Sequence, residues 1–165
     1  MLDDFSPRAR QIVFGARFKA GERGATKIET DDFLVSLVLE DQGMLERTVF
    51  SKLLEGEGEG TLVNQIPSHT PFFSSMLAQA LLVKLEKSLP RLQAVALTTE
   101  VPLSASLERV FKVAEALRVR LKQNQIEPLH LLAAAMEEKS DQGVKLLQDS
   151  GITQEKVLLA ISKGA

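Results

Sequence analysis

Apolar residues recur at intervals of three and four over most of this chain, the spacing of a helix that buries one face. Ala9, Ile12, Val13, Ala16 and Ala20 make the first such stripe. Ser6 stands before it as an N-cap, Pro7 takes the first helical position, where no N–H is needed, and Gly21 and Gly24 predict its end. Leu103, Leu107, Val110, Ala114, Leu117 and Leu121 make a second stripe, with Ser104 as its cap. Phe33, Leu34, Leu37 and Val38 predict a helix opening at Thr30, whose hydroxyl is a candidate cap. Asp31 and Asp32 lie in its first turn, where the helix dipole favours acids. Pro128 starts a counterpart carrying Leu129, Leu131, Leu132, Ala135 and Met136. Further helices are expected near Gly43, near Gly143 and after Thr153.

These stripes repeat. Residues 6–40 laid on residues 104–138 without a gap pair Ser6 with Ser104, Ala16 with Ala114, Ile28 with Ile126, Glu29 with Glu127, Leu34 with Leu132 and Glu40 with Glu138. Phe5 falls on Leu103, Ile12 on Val110 and Phe33 on Leu131, and Asp41-Gln42-Gly43 recurs as Asp141-Gln142-Gly143 two residues later. A shared register of caps, apolar positions and turn predicts a duplicated unit. The expected fold is all-α: a single domain over 1–165, a pseudo-two-fold pair of four-helix repeats, the first over 5–54 and the second over 102–162. In the connection over 55–101, the run Glu55-Gly56-Glu57-Gly58-Glu59-Gly60 predicts a mobile linker, and residues 67–71 a turn. The apolar segment over 72–89 predicts an extra helix. It either packs over the seam between repeats or presents Phe72 and Phe73 to a partner's groove.

Composition narrows the function. A net charge of −2 over 165 residues offers no basic footprint for nucleic acid, and no apolar run is long enough to span a membrane. There is no cysteine, which removes disulfides and thiolate metal sites and fits a cytoplasmic protein. No phosphate-binding loop of the G-x-x-x-x-G-K-[ST] type occurs. His69 and His130 belong to no metal or nucleophile motif and read as turn and helix-start residues. The expectation is a non-enzyme without catalytic residues, metal or cofactor.

Phe5-Ser6-Pro7-Arg8-Ala9, followed by Ile28-Glu29-Thr30-Asp31-Asp32-Phe33-Leu34, resembles one repeat of the Clp N-terminal domain, with its opening F-[ST]-x-x-A and its later I-x-[TS]-E-H-L-L. Leu103-Ser104 through Leu107, then Ile126-Glu127-Pro128-Leu129-His130-Leu131-Leu132, resembles the second. The resemblance implies a module that binds client or adaptor proteins for a Clp-type ATPase ring, in cis or in trans; the alternative is a free-standing regulator sharing the fold. It also implies a small pocket beside each helix-1 cap, at Ser6 with Asp31 and Asp32 and at Ser104 with His130, suited to a basic group bearing an anion, such as a phosphorylated arginine. The sequence departs from the family at Asp31-Asp32, where Glu-His is usual, at Leu129, which replaces the acid, and in the long connection. Acids in a first helical turn are common for structural reasons alone, and the favoured reading of Asp31 and Asp32 is that they stabilise a helix start. If they do bind a basic ligand, the first repeat is expected to bind it better than the second, because leucine cannot pair with guanidinium.

Overall fold

The computed structural model describes residues 3–45, 69–90 and 101–164. They form α1 (Pro7–Glu22), α2 (Thr30–Asp41), α3 (Ser75–Ser88), α4 (Ala105–Arg120), α5 (Pro128–Ala135), α6 (Gln142–Asp149) and α7 (Gln154–Gly164). The only extended pairing among the described residues is two isolated parallel bridges, Phe5 with Ile126 and Ile28 with Leu103. The helix expected just after Gly43 and the glutamate–glycine run lie outside the described residues.

α1 and α4 are built alike. The Ser6 hydroxyl accepts the Ala9 N–H at 3.1 Å and the Ser104 hydroxyl accepts the Leu107 N–H at 3.1 Å, each filling an orphan donor of the first turn. Both helices end on a left-handed residue, Gly24 (φ 81°) in one and Lys122 (φ 57°) in the other. The next N–H folds back alike, from Ala25 to the Ala20 carbonyl and from Gln123 to that of Arg118. A lysine in that conformation carries a steric cost of about 1 kcal/mol that glycine avoids.

The two units are stitched by a reciprocal exchange of backbone hydrogen bonds. The Ser6 N–H donates to the Ile126 carbonyl (3.0 Å) and the Ile126 N–H to the Asp4 carbonyl (2.6 Å). At the matching positions the Ser104 N–H donates to the Ile28 carbonyl (2.9 Å) and the Ile28 N–H to that of Pro102 (2.8 Å). The strand-like entry to each first helix is thus paired with the loop between the first and second helices of the other unit. Phe111 of α4 sits under this joint, edge-on to Phe5 at 5.3 Å and to Phe33 of α2 at 5.7 Å. Leu34, Leu37, Leu131 and Leu132 continue the core, all essentially without solvent contact.

α3 buries Ala78, Leu81 and Leu85 and packs on α2 and α6, while α7 packs on α5. α3 therefore packs on the second helix of the first unit as α7 packs on α5, and reaches α6 of the second unit as well. Of the two readings of the 72–89 segment, the structure takes the inward one. The Asp41 carboxylate accepts the Phe72 and Phe73 N–H groups at 2.7 and 3.1 Å and sets the entry to α3. Phe73 is buried, with Phe72 half-buried edge-on against it at 5.0 Å, so neither ring stands free to enter a partner's groove. Thr153 caps α7 as expected, its hydroxyl accepting the Lys156 N–H.

Because the two first-helix caps are geometrically alike, Ser6→Ala and Ser104→Ala should each lower unfolding free energy by about 1 kcal/mol. Urea denaturation of the two variants checks this; a loss at one serine only would show that the repeats do not share the cap's role.

Candidate functional site

The start of α2 differs from the expectation in its cap. Glu29, not Thr30, is the N-cap, and Glu29 and Asp32 form a capping box in which Asp32 Oδ2 accepts the Glu29 N–H at 3.0 Å. The Thr30 hydroxyl instead meets the Ser106 hydroxyl of α4 at 2.8 Å. In the second unit Glu127 and His130 make the same box, with His130 Nδ1 accepting the Glu127 N–H at 2.9 Å. Such an acceptor must carry no proton, so neutral His130 holds its hydrogen on Nε2. Burial lowers the pKa of His130 and keeps it in that neutral form.

Asp32 is not open to a ligand. It is 0% exposed, and both of its oxygens are taken at 2.8 Å by Arg23, whose third nitrogen donates to the Pro90 carbonyl at 3.1 Å. The hydrogen bonds to Asp32 push the Arg23 pKa up against the opposing effect of burial. The second unit carries Leu121 and His130 at these two positions, an uncharged pair in the same register. Ser6, Ser104 and His130 are likewise buried and spent on capping.

Asp31 alone of the predicted polar residues faces a cleft. Its Oδ1 accepts the Gly143 N–H at 2.9 Å, so it caps α6 of the other unit, while Asp141, the N-cap residue of α6, gives that helix no side-chain bond. The Asp141 carboxylate accepts the Ser106 hydroxyl at 2.6 Å instead. Burial pushes the Asp31 carboxyl up to about 6, helped by the neighbouring charges of Asp141, Asp32 and Glu29 and opposed by the Gly143 N–H. A β-carbon on Gly143 would collide with Asp31 Oδ1 and stand 2.9 Å from Leu34 Cδ1, so this close approach requires glycine. The cleft beside Asp31 holds about 370 Å³ and is lined by Glu29, Thr30 and Asp141 as well as by Lys27 and Arg23, offering charges of both signs.

A second concavity of about 450 Å³ was not visible in the sequence. Phe5, Leu103, Phe111 and Ile126 form its apolar floor, and Glu108 and Lys112 of α4 stand on its rim. Phe5 and Ile126 belong to different repeats and meet only through the reciprocal bridge. The one signal for it in the sequence was that Phe5 falls on Leu103 and Ile28 on Ile126, which marks positions that could pair but not which partner each takes. No group of His, Asp and Glu side chains among the described residues could hold a metal ion, and no described helix is long and apolar enough to cross a membrane.

The described residues thus form an all-helical pair of interlocked units with an apolar groove and a mixed-charge cleft. Residues 74–150, from the N-cap of α3 through α6, match the family model of the Clp repeat (R) N-terminal domain. Three solved structures share the fold. A protein from a study of a malarial protein secretion system aligns at TM-score 0.67 and 16% identity, over 98% of this chain and 94% of its own. The N-terminal domain of the chaperone ClpD from Arabidopsis thaliana aligns at 0.62 and 17%, over the full length of both chains. The Hsp104 N-terminal domain from Candida albicans aligns at 0.57 and 16%, over 94% and 87%. No curated protein matches the chain.

Breaking a buried ion pair by removing one partner typically costs about 3 kcal/mol or more, because the remaining charge stays buried. Asp32→His and Arg23→Leu should each be strongly destabilising, whereas the double variant, which installs the second unit's own pair, should recover at least about 1.5 kcal/mol relative to additivity. A double-mutant cycle by denaturant unfolding measures this; additive losses would show that the two positions do not act as a pair.

Proposed function

We propose that this chain is a docking module that binds segments of client or adaptor proteins on behalf of a Clp-type ATPase, carried on the same polypeptide or on another. The observation that supports this most directly is the groove over Phe5, Leu103, Phe111 and Ile126. It is an apolar floor left open at the joint of the two repeats, with charged residues on its edge, the arrangement that accepts an extended or helical apolar segment. The Asp31 cleft is a second contact point in this reading and takes a basic side chain. A carboxylate held beside three other acids is relieved by a guanidinium or ammonium group, and Leu129 at the matching position offers no such relief.

Leu103 is half-buried, lines the groove and packs on the edge of the core, so its variant is first checked for an unchanged unfolding midpoint. Leu103→Asp should weaken binding of a permanently unfolded model protein by about tenfold or more, the equivalent of one lost apolar contact of roughly 1.5 kcal/mol, with an unchanged helical circular dichroism spectrum. Asp31→Asn should leave that apolar binding in place and reduce only the preference for arginine-rich segments. Undiminished binding by Leu103→Asp in a fluorescence titration would remove the groove from the reading.

A further inference from the structure

We propose that Asp31 is a clamp between the two repeats whose charge state sets how firmly they close, and that a basic side chain entering the cleft acts through that clamp. The second half rests on the basic-side-chain reading above; the first half does not.

The geometry makes Asp31 a direct polar link across the α2–α6 seam. Its Oδ1 takes the Gly143 N–H of the opposite unit, and the contact is so close that Gly143 has no room for a side chain. Its Oδ2 makes no hydrogen bond among the described residues and lines the cleft. The charges around it are unfavourable from both sides of the seam: Glu29 and Asp32 on its own helix, and Asp141 at the entry to α6. Arg23 is committed to Asp32, which leaves Lys27 as the other cation lining the cleft. Thr30, Ser106 and Asp141 carry a parallel chain of hydrogen bonds over the same seam, so α2, α4 and α6 meet at this point.

Closing the seam buries Asp31 against three acids, and opening it returns the carboxyl to water. Its pKa is therefore higher in the closed state, about 6, than in the open one, near the ordinary carboxylate value of 3.8. A group raised on closing adds stability to the closed form that is complete below the open-state value and is lost as pH rises through about 6. A cation at Oδ2 reaches the same end at neutral pH by offsetting the charge while Oδ1 keeps the Gly143 N–H. By reciprocity, a seam held closed binds that cation more tightly.

Amide hydrogen exchange at Gly143, expressed as a protection factor, reads the opening directly. In the parent chain the factor should be about tenfold higher at pH 5 than at pH 7, the ratio expected when a group moves between these two pKa values. Asp31→Asn keeps an acceptor oxygen and loses the charge, so its factor should be the same at both pH values. Argininamide added at pH 7 should raise protection in the parent chain and not in Asp31→Asn. Equal protection of the parent at pH 5 and pH 7, or an unaltered pH response in Asp31→Asn, overturns the clamp even if calorimetry shows that argininamide binds. A clamp that follows pH but ignores argininamide stands, and the basic-side-chain reading falls instead.

Discussion

Four backbone hydrogen bonds, exchanged in two equivalent pairs between the entries to α1 and α4 and the loops before α2 and α5, decide the arrangement of everything else. They hold Phe5 beside Ile126 and Leu103 beside Ile28, and with those contacts made Phe111 of α4 meets both Phe5 and Phe33 edge-on. Neither unit satisfies these donors and acceptors from its own chain. A buried N–H or carbonyl without a partner costs free energy comparable to a lost hydrogen bond, so the pairing of the two units is part of folding rather than an addition to it. The groove is a direct product of this exchange, because its floor takes residues from each side of the bridge.

On that symmetric frame the side chains diverge. The position that caps α2 or α5 from within is a carboxylate in one unit and an imidazole in the other, and both accept the same backbone N–H. The carboxylate brings a charge that must be neutralised where no water reaches, and Arg23 does so; the imidazole is neutral and needs no cation, and Leu121 stands at the corresponding place. Asp31 against Leu129 is a divergence of another kind. Asp31 reaches across to cap a helix of the partner unit, and leucine has no such capacity. The duplicated backbone thus supports two different edges, one polar and crowded with acids and the other apolar.

Much of the fold was legible in the sequence, because helix periodicity and capping are local properties. Ser6, Ser104, Thr153, Gly24 and the two stripes were each readable from a few neighbouring residues, and the alignment of residue 6 with 104 anticipated which positions would match. Thr30 was misread as a cap. A hydroxyl at a helix start satisfies every local criterion, and only the arrival of Ser106 from the other unit gives it a different partner. Asp32 was assigned to a pocket for the same reason: nothing near it in sequence shows that Arg23 folds back onto it. Asp31 was singled out as an acid beside the Ser6 cap, whereas the cleft it lines does not include Ser6, and its bond to Gly143, 112 residues away, has no local signature. Contacts made between the units, the groove included, lay beyond what periodicity can show.

The reciprocal bridge also bears on how such a chain is made. Ser6 needs a partner that leaves the ribosome about 120 residues later, an interval of roughly 6 to 24 s at ordinary synthesis rates. Until then the first unit has neither its reciprocal hydrogen bonds nor a cover for Phe5, and its extended edge is unpaired. Two ribosomes on one message hold such edges close together, and each edge is complementary to the loop of any other copy. A chain duplicated in tandem carries its own second copy at a fixed distance, and the high local concentration that results favours closure within one polypeptide over entanglement between two.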